Sequence, residues 1–468
     1  MKRFLAFVFA AVAMLLTTDA QNSRIAFPEG KCYLYRIVLT DKKGCEATLR
    51  HPEAFLSQKA IDRRARQGLH VDETDLPVSQ KYLRAIARQG VGIICKSKWN
   101  NTVVVKTSSP EQAEQLRLLP FVADIAQVFA APDSIRPSVR DNIVSLLDDS
   151  DSLCQDPYGK AHKQIEMLGG IALHEAGFRG EGMIIAVIDG GFMNSDRIPA
   201  LRKVDIIGGK DFGFPASDIY SESDHGTCVL SLMAANEPGA IVGTAPHASY
   251  LLLRSEVGAY ESLCEEDFWA AAAEYADSVG VDVINTSLGY NLFDNPQQNH
   301  RYADLDGQSS IISKSASMLA DKGIVLVNSA GNSGNSPWKK ITPPADANNV
   351  ITVGALRTDG TNANFSSVGP SQDGRVKPDI MAPGNPDYVI RGDGKLATGS
   401  GTSFASPLAC GMVACLWQAL PGKTAKEIIE IVQRASHQYD TPDNIFGYGT
   451  PDFYKAYINN AALTKSEK

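Results

Sequence analysis

Positive charge is in deficit in this sequence: 45 Lys and Arg stand against 53 Asp and Glu, for a formal net charge of -8. That balance leaves no electrostatic footprint for nucleic acid or an anionic membrane. Beyond the first twenty residues no run is long and apolar enough for a transmembrane helix, so no membrane anchor is expected. No Cys/His spacing matches a zinc site, and there is neither an internal repeat nor a low-complexity tract. Cysteine is sparse, eight in 468 residues. Cys410 and Cys415 fall in one predicted helix and Cys95 ends an apolar run from Val91, so buried free thiols are expected there. Eight cysteines permit too many pairings for the sequence to select one.

What is present is a mildly acidic chain, 44% hydrophobic, long enough for more than one domain. Lys2 and Arg3 precede an unbroken apolar run from Phe4 to Leu16, and Thr18-Asp-Ala20 follows. These are the marks of a secretory signal peptide, residues 1–20, and of export to the periplasm or the exterior. Residues 21–128 read as a small α+β domain. Its strands are Tyr33–Leu39, Val91–Cys95, Thr102–Lys106 and Val122–Val128, and its helices Leu56–Gln67, Val78–Arg88 and Pro110–Leu118. Residues 129–160 hold Pro132, Pro137, Pro157 and the acidic stretch Asp148–Asp151. They read as a linker, since that stretch lacks the glycine and distal glutamate of a calcium loop. From 161 to 462, short Val/Ile-rich runs (Met183–Ile188, Val281–Asn285, Ile324–Asn328, Val350–Val353) alternate with helical stretches such as Glu265–Ser278 and Ser309–Lys322. Such runs fit strands buried on both faces, and predict an α/β fold with a doubly wound, mostly parallel sheet.

Three segments of that region carry groups suited to chemistry. Ile184–Asp189 is a buried-strand pattern ending in a carboxylate, and Gly190-Gly191 permit a tight turn where functional groups collect in open α/β sheets. His225 opens an apolar helix, although His is a poor cap. Ser403, in Gly399-Ser-Gly-Thr-Ser403-Phe-Ala-Ser-Pro407, precedes the apolar Leu408–Leu420 and so lies near a helix N-terminus, whose free N–H groups can hold an anion. Taken singly, each has an ordinary structural reading: a strand–turn Asp, a structural His, a capping Ser. Together they are the set that acyl transfer from an amide needs: a hydroxyl nucleophile, a base of near-neutral pKa, and a carboxylate to orient it.

With these residues in the order Asp, His, Ser, the chain resembles the subtilisin-like serine protease family. Val187-Ile-Asp189-Gly-Gly191, His225-Gly-Thr227 and Gly401-Thr-Ser403-Phe-Ala-Ser-Pro407 match its motifs, and the last block is the most specific. The resemblance spans residues 161–455. It implies a triad of Asp189, His225 and Ser403. It further implies an oxyanion hole made by Asn332, in Val325–Asn332, together with the Ser403 N–H. Ser287, Leu288 and Gly289, with Ala330 and Gly331, would bind substrate, and Thr342 and Pro343 would approach the pocket floor. Lys377–Gly384 would be a structural turn. No cofactor is implied for the chemistry; structural calcium is a family feature, but no ligand set is legible. The domain at 21–128 resembles the family's inhibitory propeptide, which implies a secreted zymogen cleaved between Val128 and Tyr158. Its partners would be protein or peptide substrates and its own propeptide, but no nucleic acid.

Gly190 departs from the pattern, which has Ser or Thr after the catalytic Asp. Cys228, three residues past His225, reads either as a site for thiol reagents or as a core thiol. A non-catalytic relative that binds peptides in its cleft is the alternative reading. An aspartic protease lacks its second aspartate here, and a cysteine protease on Cys228 would leave the Ser403 block without a role.

Overall fold

A computed structural model describes residues 24–147 and 153–466. The expected signal peptide and the acidic stretch Asp148–Asp151 lie outside the described residues. Strands β1 (Tyr33–Leu39), β2 (Gly92–Ser97), β3 (Thr102–Thr107) and β4 (Val122–Ala130) form an antiparallel sheet in the order β2-β3-β1-β4. Helices α1 (Gln58–Arg66), α2 (Gln80–Ala87) and α3 (Pro110–Leu116) complete this N-terminal domain. Strand alternation divides its side chains between two tasks. Tyr35, Ile37 and Leu39 of β1 join Tyr82, Leu83 and Ile86 of α2 and Leu116 of α3 in the domain's own core. Leu34 and Arg36 face the other way, toward the second domain.

The second domain is built on seven parallel strands: β5 (Ile184–Asp189), β6 (Asp205–Asp211), β7 (Ser249–Arg254), β8 (Val283–Thr286), β9 (Val325–Ser329), β10 (Ile351–Arg357) and β11 (Ile380–Asn385). Their order is β11-β10-β9-β8-β5-β7-β6. Successive residues of β5 bury on opposite faces. Ile185 and Val187 pack with helices α4 (His225–Ala234) and α7 (Thr402–Ala419). Ala186 and Ile188 pack with α5 (Cys264–Val279) and α6 (Ile311–Met318). This is the doubly wound parallel α/β architecture expected from the sequence. The segment expected as a structural turn, Lys377–Gly384, is corrected by the structure. After the buried Lys377–Asp379 ion pair at 2.6 Å it runs on as edge strand β11. Pro383 is tolerated there because an edge strand has a free side.

The N-terminal domain docks on α5 through a seam of buried charge. Arg36 grips Asp267 with two hydrogen bonds of 2.7 and 2.6 Å. Glu274 accepts the backbone N–H groups of Lys98 and Trp99 at 2.7 and 3.0 Å. Asp277 accepts from Arg63 at 2.6 Å, Arg64 at 3.0 Å and Lys98 at 3.2 Å. Beyond Ala130 the chain crosses the second domain. Ser138 donates to Glu222, Arg140 to Ser221 and Asp218, and the Asp141 carbonyl accepts from Asn194. The Val144 N–H then bonds the Asp393 carbonyl.

Candidate active site

The groups singled out in the sequence lie past the carboxyl ends of β5, β8 and β9 and at the N-termini of α4 and α7. Asp189 is the last residue of β5 and is fully buried. Helix α4 begins directly over it, an approach that depends on Gly226: a Cβ there would come within 2.2 Å of the Gly191 carbonyl oxygen. Thr227 adds a hydrogen bond of 2.8 Å to the Met193 carbonyl. The result is a contact of 2.8 Å between His225 Nδ1 and Asp189 Oδ1. The Gly190 N–H also donates to Oδ1, at 2.8 Å, while Oδ2 is buried with no partner among the described residues. Burial by itself lowers the pKa of His225. The Asp189 charge and hydrogen bond, followed by Glu256 and Asp224, outweigh that and raise it to about 9. The Phe404 ring stacks on the imidazole with centroids 6.0 Å apart.

Ser403 is the second residue of α7, so its N–H is one of the first-turn donors that a helix leaves without an acceptor. Its hydroxyl donates to the Ser287 carbonyl at 3.2 Å, and the Ser287 hydroxyl donates back to the Ser403 carbonyl at 2.8 Å. The resting hydroxyl is therefore turned to the β8 wall. Asn332 follows β9, and its Oδ1 accepts both the Thr402 N–H and the Thr402 hydroxyl at 2.9 Å. That fixes the amide with Nδ2 as its remaining donor. Gly331 holds φ at +103°, and its N–H bonds the Thr402 hydroxyl at 3.2 Å.

His225, Asn332 and Ser403 line one cleft of about 270 Å³ with Ser287, Leu288, Gly289, Gly331 and Thr342. Thr342 closes tightly on Gly289, where a Cβ would lie 2.2 Å from its hydroxyl. Pro343 stands behind, its carbonyl accepting the Tyr290 N–H at 2.9 Å. Ala330 is fully buried behind the wall, its N–H bonded to the Val353 carbonyl, and Ser329 lines the cleft in its place. Cys228 is buried and its thiol pKa is pushed well up, chiefly by burial, so it is a core thiol. All eight cysteines are free. Among the described residues no group of three or more His, Cys, Asp or Glu is placed to hold a metal ion.

Glu256 also lines the cleft, two residues past the end of β7. Sequence reasoning missed it because it belongs to no motif. The one available signal was an acid just beyond a strand of the central sheet, and β7 itself was not foreseen.

Residues 180–449, more than half the chain, match the model of the subtilase family, Peptidase S8. Residues 34–142 match the Peptidase S8 propeptide domain, Bacteroidota. Serine protease AprX of Bacillus subtilis is 29% identical over 300 residues, covering 58% of this chain and 65% of that protein. Minor extracellular protease Epr of the same species is 28% identical over 63% of this chain, which spans only 41% of Epr. Subtilisin DY of Bacillus licheniformis is 28% identical over 58% of this chain and 88% of its own length. The fold is shared with the epidermin leader peptide processing serine protease of Staphylococcus aureus. The TM-score is 0.61 at 17% identity, over 91% of this chain and 99% of that one. The chain belongs to the subtilase family, the subtilisin-like serine proteases, and carries the family's propeptide domain.

Proposed function

We propose that this chain is a secreted serine endopeptidase made as a zymogen, with Asp189, His225 and Ser403 as its triad. The observation that carries the reading is the 2.8 Å contact between His225 Nδ1 and buried Asp189, in the cleft that also presents Ser403 at a helix N-terminus. With Nδ1 committed to Asp189, Nε2 is the nitrogen free to take a proton. Substrate entry turns the Ser403 hydroxyl from the Ser287 carbonyl toward Nε2. As Oγ bonds the scissile carbonyl carbon, its proton passes to His225 and the carbonyl π pair moves onto oxygen. The Ser403 N–H and Asn332 Nδ2 hold that oxyanion. Collapse breaks the C–N bond, the amine leaves with the proton from His225, and water releases the acyl group by the same steps. Ser287, Leu288, Gly289 and Gly331 bind the substrate, with Thr342 at the floor.

In this reading residues 1–20 direct export, 21–128 fold as the inhibitory domain, 129–160 contain the cleavage site, and 161–462 form the peptidase. No cofactor takes part in the chemistry. No helix of the described residues is long and apolar enough to cross a membrane. The test is to express residues 21–468 and treat them with a fluorophosphonate probe, beside a Ser403→Ala variant, while mass spectrometry follows the N-terminus. Labelling at Ser403 and loss of the N-terminal domain in wild type alone sustain the proposal. If wild type neither labels nor processes after added trypsin, the cleft is a peptide-binding site without catalysis.

A further inference from the structure

Asp189 is followed by Gly190, so no side chain projects beside the triad from that position. That space is occupied from another element. A Cβ built on Gly190 would lie 3.0 Å from Glu256 Oε2 and 3.8 Å from Glu256 Cβ. The Glu256 side chain therefore rests where a residue-190 side chain would project, and it opens into the cleft shared by His225 and Ser403. No donor among the described residues hydrogen-bonds its carboxylate, and no cation pairs with it. The nearby Arg254 is taken up elsewhere. Its Nη1 bonds Asp211 at 3.0 and 2.8 Å, its Nε bonds the Gly190 carbonyl at 3.2 Å, and its Nη2 approaches Glu222 at 3.9 Å. A half-exposed carboxyl group in the cleft with no protein partner is free to act on its neighbours there.

We propose that Glu256 is a positioning residue for His225: a second carboxylate that, with Asp189, stabilises the imidazolium formed during proton transfer, in the space left by Gly190. The proposal rests on the triad reading above. The charged groups around His225 are Asp189 beneath it, Asp224 before it and Glu256 across the cleft. Around Glu256 they are Asp189, His225 and Arg254, with the acids Glu261 and Glu265 on the segment that follows. Burial and the Asp189 charge raise the Glu256 pKa to about 7, so Glu256 is ionised above about pH 7, the interval up to about pH 9 in which His225 passes from imidazolium to neutral base. Loss of its charge lowers the affinity of His225 for a proton. The neutral, competent base then appears at lower pH, but the imidazolium of the transition state is less well held.

The experiment is the pH dependence of the fluorophosphonate inactivation rate, which reads the free enzyme and needs no knowledge of the preferred peptide. Glu256→Gln is expected to move the acid limb down by about one pH unit and to lower the plateau rate several-fold. Glu256→Asp keeps the charge and returns most of the limb. Gly190→Ser pushes the carboxylate aside and moves the limb in the same direction as Glu256→Gln. If Glu256→Gln labels fully with a limb that superimposes on wild type, the proposal is overturned while the triad stands. If Glu256→Gln does not accumulate, an unmoved limb in Gly190→Ser overturns it instead. Should wild type itself fail to react, the triad reading falls first and takes this one with it.

Discussion

The seam under the N-terminal domain and the cleft both gather acids, and they partner them differently. In the seam between the N-terminal domain and α5, each acid is answered: Asp277 meets Arg63, Arg64 and Lys98, and Asp267 meets Arg36. In the cleft, acids outnumber their partners. Asp189 keeps one buried oxygen unpartnered, Glu256 has no donor, and His225 serves both. Burial pushes the Asp277 pKa up, yet its three cations overcome that and bring it down to about 2. Burial outweighs the partners of Asp267 and Glu274 in the same seam and raises both, and it raises the unpartnered Glu256 to about 7. Paired charge fixes two domains in register; under-paired charge stores proton affinity for use. The first kind of site fails by coming apart and the second by losing rate.

The sharpest way to test that division is to neutralise one acid in each place. Asp189→Asn removes the charge that orients His225 and is expected to lower kcat by about 10⁴, with KM for a peptide substrate little changed. Asp277→Asn leaves Arg63 buried without its counter-charge, while Arg64 keeps Asp75 at 2.9 Å. Removing one partner of a buried pair costs about 3–5 kcal/mol, read as urea-induced release of the N-terminal domain by tryptophan fluorescence in a Ser403→Ala background. Trp99 is a fitting reporter, since it belongs to the N-terminal domain but packs into the second domain's core. If Asp277→Asn instead depresses kcat of the processed enzyme, the two sites are not separable.

A third substitution probes the cleft's neutral donor. Asn332→Ala removes Nδ2, and turnover is expected to fall by about 10²–10³, the loss known for such oxyanion donors in subtilisin. Asn332 Oδ1 also ties down Thr402, so labelling of Ser403 is the control for a shifted α7. A variant that labels at the wild-type rate and turns over peptide normally would place the oxyanion elsewhere.

Much of this was legible because the physics is local. The Val/Ile runs of β5, β8, β9 and β10 and the alternation of β1 come straight from burial on two faces or one. The segments of the proposed triad stand out because chemistry demands unusual residues at strand ends and helix starts. The edges of the sheet were not legible. Strand β6, Asp-Ile-Ile-Gly-Gly-Lys-Asp, is half exposed and polar, and β11 carries Pro383, so neither has the apolar run of a central strand. Glu256 was hidden for a different reason. Its meaning depends on the empty volume beside Gly190, and that juxtaposition joins residues 66 positions apart through the pairing of β5 with β7. The partners of Asp277 were equally out of reach. The stretch around Arg63 and Arg64 reads as an ordinary basic helix until the fold buries both guanidinium groups.

The two sites also part company in acid. Because the folded pKa of Asp277 lies below its ordinary value of 3.8, its ionised form stabilises the docked state at every pH above that value. As pH falls from about 4 toward 2, the carboxylate takes up a proton and that stabilisation, about 2 kcal/mol, is lost. His225 has the opposite sign: its raised pKa favours the folded form at low pH, and that contribution fades as pH rises through about 9. Chemistry needs the neutral imidazole, so activity of the processed enzyme should climb from pH 7 to 9, a range in which Asp277 stays ionised and its hold on the N-terminal domain does not change. A full-length Ser403→Ala chain followed by Trp99 fluorescence between pH 9 and 2 separates them. Release confined to the limb below pH 4 keeps the seam and the cleft as independent titrations, whereas release between pH 6 and 8 would mean that groups other than Asp277 govern how the N-terminal domain lets go.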